Sequence, residues 1–305
     1  MGIKFSESHD SVTSLSLAST SLVMRGSIID DRGDWSRISA APCSELKEHG
    51  PTAFELELNG SSRVVRLRSR SDLERLVTDV KASFDRLYLD LTTLGHHLWA
   101  PVFRAAVEAD LKVSMIYAEP TDYAKRVDYS TAGGFDLSDR IQRPTGIPGF
   151  TSIAAEFERN FKLIALLGFE GNRFEFIVSK LEPESWQLYP IIGVPGFKPE
   201  FPDHVISENS VTIEDSKCGQ NIRYAAANCP FSLVAALEEI AREDETSLLK
   251  IAPLGTKPHA LGALLFSMVT KSRVEFIYDH PVRKVQRSSG LGKVHVFDVA
   301  KFLDR

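Results

Sequence analysis

The chain has 305 residues, 43% of them hydrophobic and 25% charged, with a formal net charge of −5. That is enough apolar material to core one large domain or two modest ones, and it excludes the global basic field that gathers DNA or RNA, leaving only a local basic patch open. Three scattered cysteines, Cys43, Cys218 and Cys229, argue against a zinc ribbon or a disulfide framework and for a reducing, cytoplasmic setting. The serine-rich N-terminus lacks the basic-then-apolar order of a signal peptide, and no apolar run approaches the ~20 residues of a bilayer span.

In chain order, the first 50 residues are polar and weakly periodic and are expected to form an arm or cap, with short strands at 22–24 and 28–29. The runs 54–58 and 64–67 alternate around Asn59-Gly60, which predicts a β-hairpin. Ser71-x-x-Glu74 has the form of a capping box, and Leu73, Leu76, Val77, Val80 and Phe84 follow at helical spacing. From there the pattern becomes strand, loop, helix, strand. The first such unit runs 87–91, 92–97, 98–109 and 113–117, closed by Ala118-Glu-Pro120. A second runs 163–167, 168–172, 174–181 and 188–192. A third begins at 222–226 with its helix at 231–242. The last runs 248–252, 253–258, 259–269 and 274–278, closed by Asp279-His-Pro281. The first and last units are internal echoes, with Leu-Gly in each loop and Ile-Tyr-Ala-Glu-Pro matched by Ile-Tyr-Asp-His-Pro. The expected fold class is therefore α/β: a Rossmann-like, mostly parallel sheet with helices on both faces, preceded by a β-hairpin or cap region. Its α/β domain is expected over 51–305, with halves at 51–200 and 201–305.

Ligands of open α/β sheets bind beyond the carboxyl ends of the strands. Among the loops there, Gly255-Thr256-Lys257 is the most informative. Glycine permits close backbone approach, Thr256 can cap the helix or offer its hydroxyl, Lys257 adds a point charge, and amide N–H groups at a helix start favour phosphate. An ordinary strand-to-helix turn with a solvated lysine is the plain alternative. Walker A spacing and the G-x-G-x-x-G fingerprint are both absent, and no metal or cofactor is called for. In the echoed loop, Thr92, Thr93, Gly95 and His96 are ligand candidates, with His97 pointing elsewhere. Glu119, Asp122 and Tyr123 follow one strand, and Asp279, His280, Arg283 and Lys284 follow its echo. Asp279, His280 and Glu119 are candidates for acid–base work. Arg283, Lys284, Arg287 and Lys293, around Ser288-Ser-Gly-Leu-Gly292, read as a phosphate clamp, a mobile lid or a solvated loop. Asn172 is expected to cap a helix and Arg173 to offer an anion contact, whereas Asn228-Cys229-Pro-Phe231 reads as a structural cap. The pentapeptides Gly146-Ile-Pro-Gly-Phe150 and Gly193-Val-Pro-Gly-Phe197 predict two similar type II turns, or two loops framing one site.

Gly255-Thr-Lys-Pro-His-Ala-Leu-Gly262 resembles the Gly-Thr-Lys loop of CARF domains, the Rossmann-like sensors of cyclic oligoadenylates in CRISPR defence. Leu254 stands where many of those loops carry a further glycine. The resemblance is confined to the C-terminal unit. It implies a homodimer with ligand across the two-fold axis and phosphate contacts from Thr256 and Lys257. No HD, HEPN or helix-turn-helix signature of a fused effector accompanies it, so a protein partner or an unrecognised part of this chain would carry the response. Three functions remain open: a nucleotide-sensing or binding subunit of a prokaryotic defence assembly, a metal-independent, ring-nuclease-like phosphodiesterase or other nucleotide enzyme, and an interaction subunit that binds no ligand.

Overall fold

The computed structural model describes residues 5–10, 14–33, 41–123, 137–140, 146–150, 160–286 and 288–304. The elements are, in order, β1 (Ser6–His9), β2 (Ser21–Arg25), β3 (Cys43–Glu45), β4 (Lys47–Glu48), β5 (Ala53–Leu58), β6 (Ser61–Arg66), α1 (Arg70–Ser83), β7 (Arg86–Asp90), α2 (His96–Glu108), β8 (Lys112–Tyr123) and β9 (Ser138–Arg140). They continue with β10 (Phe161–Leu166), α3 (Gly171–Leu181), β11 (Leu188–Gly193), α4 (Phe201–Asp215), β12 (Arg223–Ala225), α5 (Pro230–Glu243), β13 (Leu248–Pro253), α6 (Lys257–Val269), β14 (Val274–Phe276), β15 (Val282–Arg283), β16 (Ser288–Asp298) and α7 (Val299–Leu303). The protein is α/β with a mostly parallel sheet in each of two compact units, 1–123 with 285–305 and 124–284.

The first unit carries a six-stranded sheet in the order β1-β16-β8-β7-β2-β3. Its centre, β8-β7-β2-β3, is parallel, while β16 and β1 add antiparallel strands at one side. The segment expected to be an arm or cap therefore supplies two strands of the parallel sheet, because the apolar run Leu22-Val-Met24 is fully buried. Residues 28–29 form no strand. The hairpin β5–β6 closes on Asn59 and Gly60 with φ of 52° and 74°, as a two-residue primed turn requires. The N-cap of α1 is Ser69 rather than Ser71: its hydroxyl accepts from the Asp72 amide. Strand β8 runs past Pro120, where the sequence suggested closure, because β16 pairs with it out to Tyr123. Beyond Ile116 the opposite edge of β8 has no partner strand among the described residues, so a proline is tolerated there. The same pairing makes Ser288–Gly292 a strand rather than a mobile lid or loop; Arg287 lies outside the described residues.

The second unit carries a five-stranded, wholly parallel sheet in the order β12-β11-β10-β13-β14. Numbered in chain order within this sheet this is 3-2-1-4-5, the order of one doubly wound half-sheet. Alternation along β10 explains the layers. Phe161, Leu163 and Ala165 join Phe174 and Ile177 of α3 and Val205 and Ile213 of α4 in one core. Lys162, on the other face, reaches the Ile240 carbonyl of α5 at 2.8 Å. Helices α3 and α4 pack together, as do α5 and α6. Helices thus cover both faces of this sheet. All four begin at its carboxyl edge, since each follows a strand and precedes the next parallel one. The two units divide at 123/124 and 284/285. The echoed segments fall one in each unit, as β7–α2–β8 and β13–α6–β14.

Candidate functional site

In the second unit the chain order reverses between β10 and β13, and the loops that leave these strands meet at that point. A Cβ on Gly255 would lie 2.3 Å from the Leu167 carbonyl oxygen, and one on Gly168 would lie 2.6 Å from the Leu254 carbonyl oxygen. Only glycine lets the two backbones approach so closely. Arg173, in the first turn of α3, locks the same edge. Its Nε and Nη2 donate to the two oxygens of Asp279 at 2.6 and 2.7 Å, and its Nη1 donates to the Leu254 carbonyl at 3.1 Å. Burial opposes the guanidinium charge, but these bonds to Asp279 hold its pKa above the usual arginine value. Asp279 has no exposed surface. Both residues are consumed by a structural clamp, which removes Arg173 as an anion contact and Asp279 as an acid–base group. Asn172 lies inside α3 and does not cap it; Glu170 occupies the N-cap.

Thr256 is the N-cap of α6. Its hydroxyl donates to the Ala227 carbonyl at 2.7 Å and accepts from the His259 amide at 3.3 Å. The helix start is therefore partly satisfied from within, since Pro258 has no N–H and His259's is taken. What faces outward is the half-buried Gly255–Lys257 turn with its lysine. His259 has no exposed surface, and its Nε2 lies 3.0 Å from the Ala226 carbonyl. Burial lowers its pKa to about 4. His280, at a positive φ of 43°, has its ring 4.6 Å from that of Tyr278. Arg283 belongs to β15, which pairs with β9, and the Lys284 amide donates to the Leu137 carbonyl. Cys229 caps α5 without a side-chain bond, and its carbonyl accepts from Ser232. Of the paired pentapeptides, Gly149 has the positive φ of a type II turn (83°) whereas Gly196 does not, and Phe150 packs edge-on against Phe276. They are not equivalent loops.

The first unit has a matching reversal between β2 and β7. Gly26 donates its amide to the Thr93 hydroxyl at 2.9 Å, and a Cβ there would lie 2.9 Å from the Thr93 carbonyl oxygen. The Thr93 hydroxyl donates to Asp90 at 2.6 Å, and the Thr92 hydroxyl accepts from the Ala118 amide. These hydroxyls knit β2, β7 and β8 together. His96 is buried and accepts from the Trp99 indole at 3.2 Å, and Gly95 is the N-cap of α2. His97 lies 3.6 Å from Glu48 and Lys293 3.5 Å from Asp10. The loop chosen from sequence as a ligand loop is thus largely internal.

Sequence reasoning missed two polar clusters of this unit, because each joins residues far apart along the chain. Arg32 pairs with Asp30 through two bonds, and the Ser288 hydroxyl donates to the same carboxylate. Glu119, an acid–base candidate with Asp279 and His280, belongs to the first unit and meets His295 Nε2 at 2.7 Å; His295 Nδ1 in turn lies 2.8 Å from the Ser8 hydroxyl. The sequence signal for the second cluster was slight: a histidine inside Val294-His-Val-Phe297 of β16 and a glutamate just after Ile116-Tyr-Ala118 of β8.

Among the described residues no cluster of three or more His, Cys, Asp or Glu could hold a metal ion, and no helix is long and apolar enough to cross a membrane. No family model, curated protein or solved structure matches the chain.

Proposed function

We propose that the second unit is a binding module for an anionic, nucleotide-type ligand, held at the carboxyl edge of its sheet around Gly255–Lys257. The observation that carries this reading is the position of that turn. It opens a 13-residue helix directly beside the reversal of a 3-2-1-4-5 parallel sheet, where such sheets take their ligands. The helix dipole and the Lys257 ammonium both favour negative charge there. Thr256 contributes by shaping the turn, since its hydroxyl is engaged by Ala227 and His259. Together with the resemblance of this loop to those of oligoadenylate sensors, the reading extends to a sensor subunit whose response passes to a partner protein.

The test is titration of the full chain with mononucleotides and with linear and cyclic oligonucleotides, read by native mass spectrometry and calorimetry. A nucleotide mass should add to the protein, and Lys257→Ala should weaken binding by roughly tenfold or more through loss of a charge-assisted contact. A protein that ignores the whole panel, or a Lys257→Ala variant of unchanged affinity, would overturn the assignment.

A further inference from the structure

At the side of the first unit's sheet, three residues from three strands form one hydrogen-bonded line: Ser8 of β1, His295 of β16 and Glu119 of β8. Ser8 and His295 are direct cross-strand partners. The Asp298 amide donates to the Phe5 carbonyl at 2.8 Å, which makes 5/298, 7/296 and 9/294 the hydrogen-bonded pairs and leaves Ser8/His295 a non-hydrogen-bonded one. Side chains are closest at such pairs, hence the 2.8 Å between Ser8 Oγ and His295 Nδ1. The same alternation turns the Ser8 amide away from β16, toward the edge of the sheet, where β1 is the terminal strand among the described residues.

The three differ sharply in exposure. Ser8 is exposed, while His295 and Glu119 are 3% and 7% exposed. Val294 on β16 and Ala118 on β8 point to the opposite face, into a core with Val23 and Ile116, so His295 and Glu119 share the other face with Ser8. The His295 ring lies parallel to that of Phe297, 5.9 Å away, which fixes its plane. A carboxylate can only accept, so the Glu119 bond puts the imidazole proton on Nε2 and leaves Nδ1 with its lone pair directed at the serine hydroxyl. A nucleophile, a base within hydrogen-bond reach and a third group that fixes the base's tautomer are the parts of an activated serine.

We propose that Ser8 is an acylatable nucleophile, with His295 as its general base and Glu119 as the residue that positions His295, acting on carboxylic esters or thioesters that reach the edge of the sheet at β1. Ser8 Oγ attacks the acyl carbon as its proton passes to His295 Nδ1. The bond to the leaving alcohol or thiol breaks, and that group takes the proton from Nδ1, leaving acyl-Ser8. Water, deprotonated by Nδ1, then attacks the acyl carbon, and Ser8 departs with the proton, releasing the acid. The outward Ser8 amide would serve as an oxyanion donor. This site is independent of the ligand edge of the second unit and survives or fails separately from it.

The experiment is labelling of the full chain with a fluorophosphonate probe, with the adduct mapped by mass spectrometry and p-nitrophenyl acetate turnover followed in parallel. The adduct should fall on Ser8, vanish in Ser8→Ala and persist in Ser6→Ala, whose serine lies two residues away on the same strand. His295→Gln should slow labelling by about 100-fold or more. In Glu119→Gln, nitrogen NMR should show His295 losing its fixed Nε2–H tautomer while labelling slows, and Glu119→Asp should restore part of the rate. Because Ser8 is exposed, Ser8→Ala keeps the fold, and the test does not rest on the buried variants alone. Absence of an adduct at Ser8, equal labelling of Ser6, or undiminished labelling in a folded His295→Gln protein would overturn the proposal.

Discussion

His259 occupies the third position of α6, with its amide on the Thr256 cap, its ring wholly buried and its Nδ1 without a hydrogen-bond partner. Such a ring is tolerated while it is neutral. Burial lowers its pKa to about 4, against about 6.5 in the unfolded chain. Below pH 6.5 the unfolded state takes up a proton that the folded state refuses, so acid favours unfolding. The stability associated with this histidine is intact above about pH 6.5 and declines as pH falls toward 4, by up to about 3 kcal/mol for a shift of this size. Denaturant melts between pH 7 and pH 4 should show this decline, and His259→Leu should flatten it. A decline of the same size in that variant would place the acid sensitivity elsewhere. Arg173 and Asp279 show the opposite solution to burial, each charge being satisfied by the other in a two-pronged pair.

Backbones also approach closely at the switch point, where the loops after β10 and β13 touch through glycine. Adding one methyl at Gly255 sets it against backbone, the Leu167 carbonyl at 2.3 Å, which cannot swing aside as a side chain would. Gly255→Ala should therefore cost roughly 3 kcal/mol by overpacking, and it should weaken ligand binding by deforming the turn that carries Lys257. Gly219→Ala, with its nearest neighbour 4.0 Å from the added Cβ, is the matched control and should unfold like the parent in urea. Sequence reasoning found most of these elements but placed no helix at α4, Phe201–Asp215. Each βαβ stretch placed in the second unit is present within a few residues, because strands buried on both faces read as apolar runs and helices show their period. The hairpin was legible from Asn59-Gly60 for a similar reason, since both positions need positive φ. The caps were legible only in part, because Ser69 and Ser71 are equally good in composition and the entry angle of the chain decides between them. What each polar side chain does at the strand ends was not legible. Thr92, Thr93 and Thr256 look like ligand groups in sequence and Asp279 like an acid–base group, but each side chain is engaged by residues 3 to 106 positions away, and only the fold reveals that.

At the scale of the whole chain, the second unit is a single uninterrupted stretch, 124–284, and the first is split around it. The split is permitted by the antiparallel pairing of β8 and β16: Tyr123, where the chain leaves the first unit, is the register partner of Ser288, near where it returns. Exit and re-entry are adjacent, so an inserted domain needs no stretched linker. The two units should consequently differ when cut apart. The fragment 124–284 contains every strand of its five-stranded sheet and all four helices that cover it, so it should express as a folded protein with cooperative unfolding and retain the ligand affinity of the full chain. The fragment 1–123 lacks β16, which is both the antiparallel neighbour of β8 and, among the described residues, the strand partner of β1. It should expose the buried side chains of β8 and fail to fold, and joining 285–305 back through a short glycine-serine bridge should restore it. Circular dichroism and urea titration of the three proteins provide the check. Cooperative folding of 1–123 alone would mean that β16 is an addition to this sheet rather than a part of its core, and Ser8 and His295 would then sit on a dispensable edge.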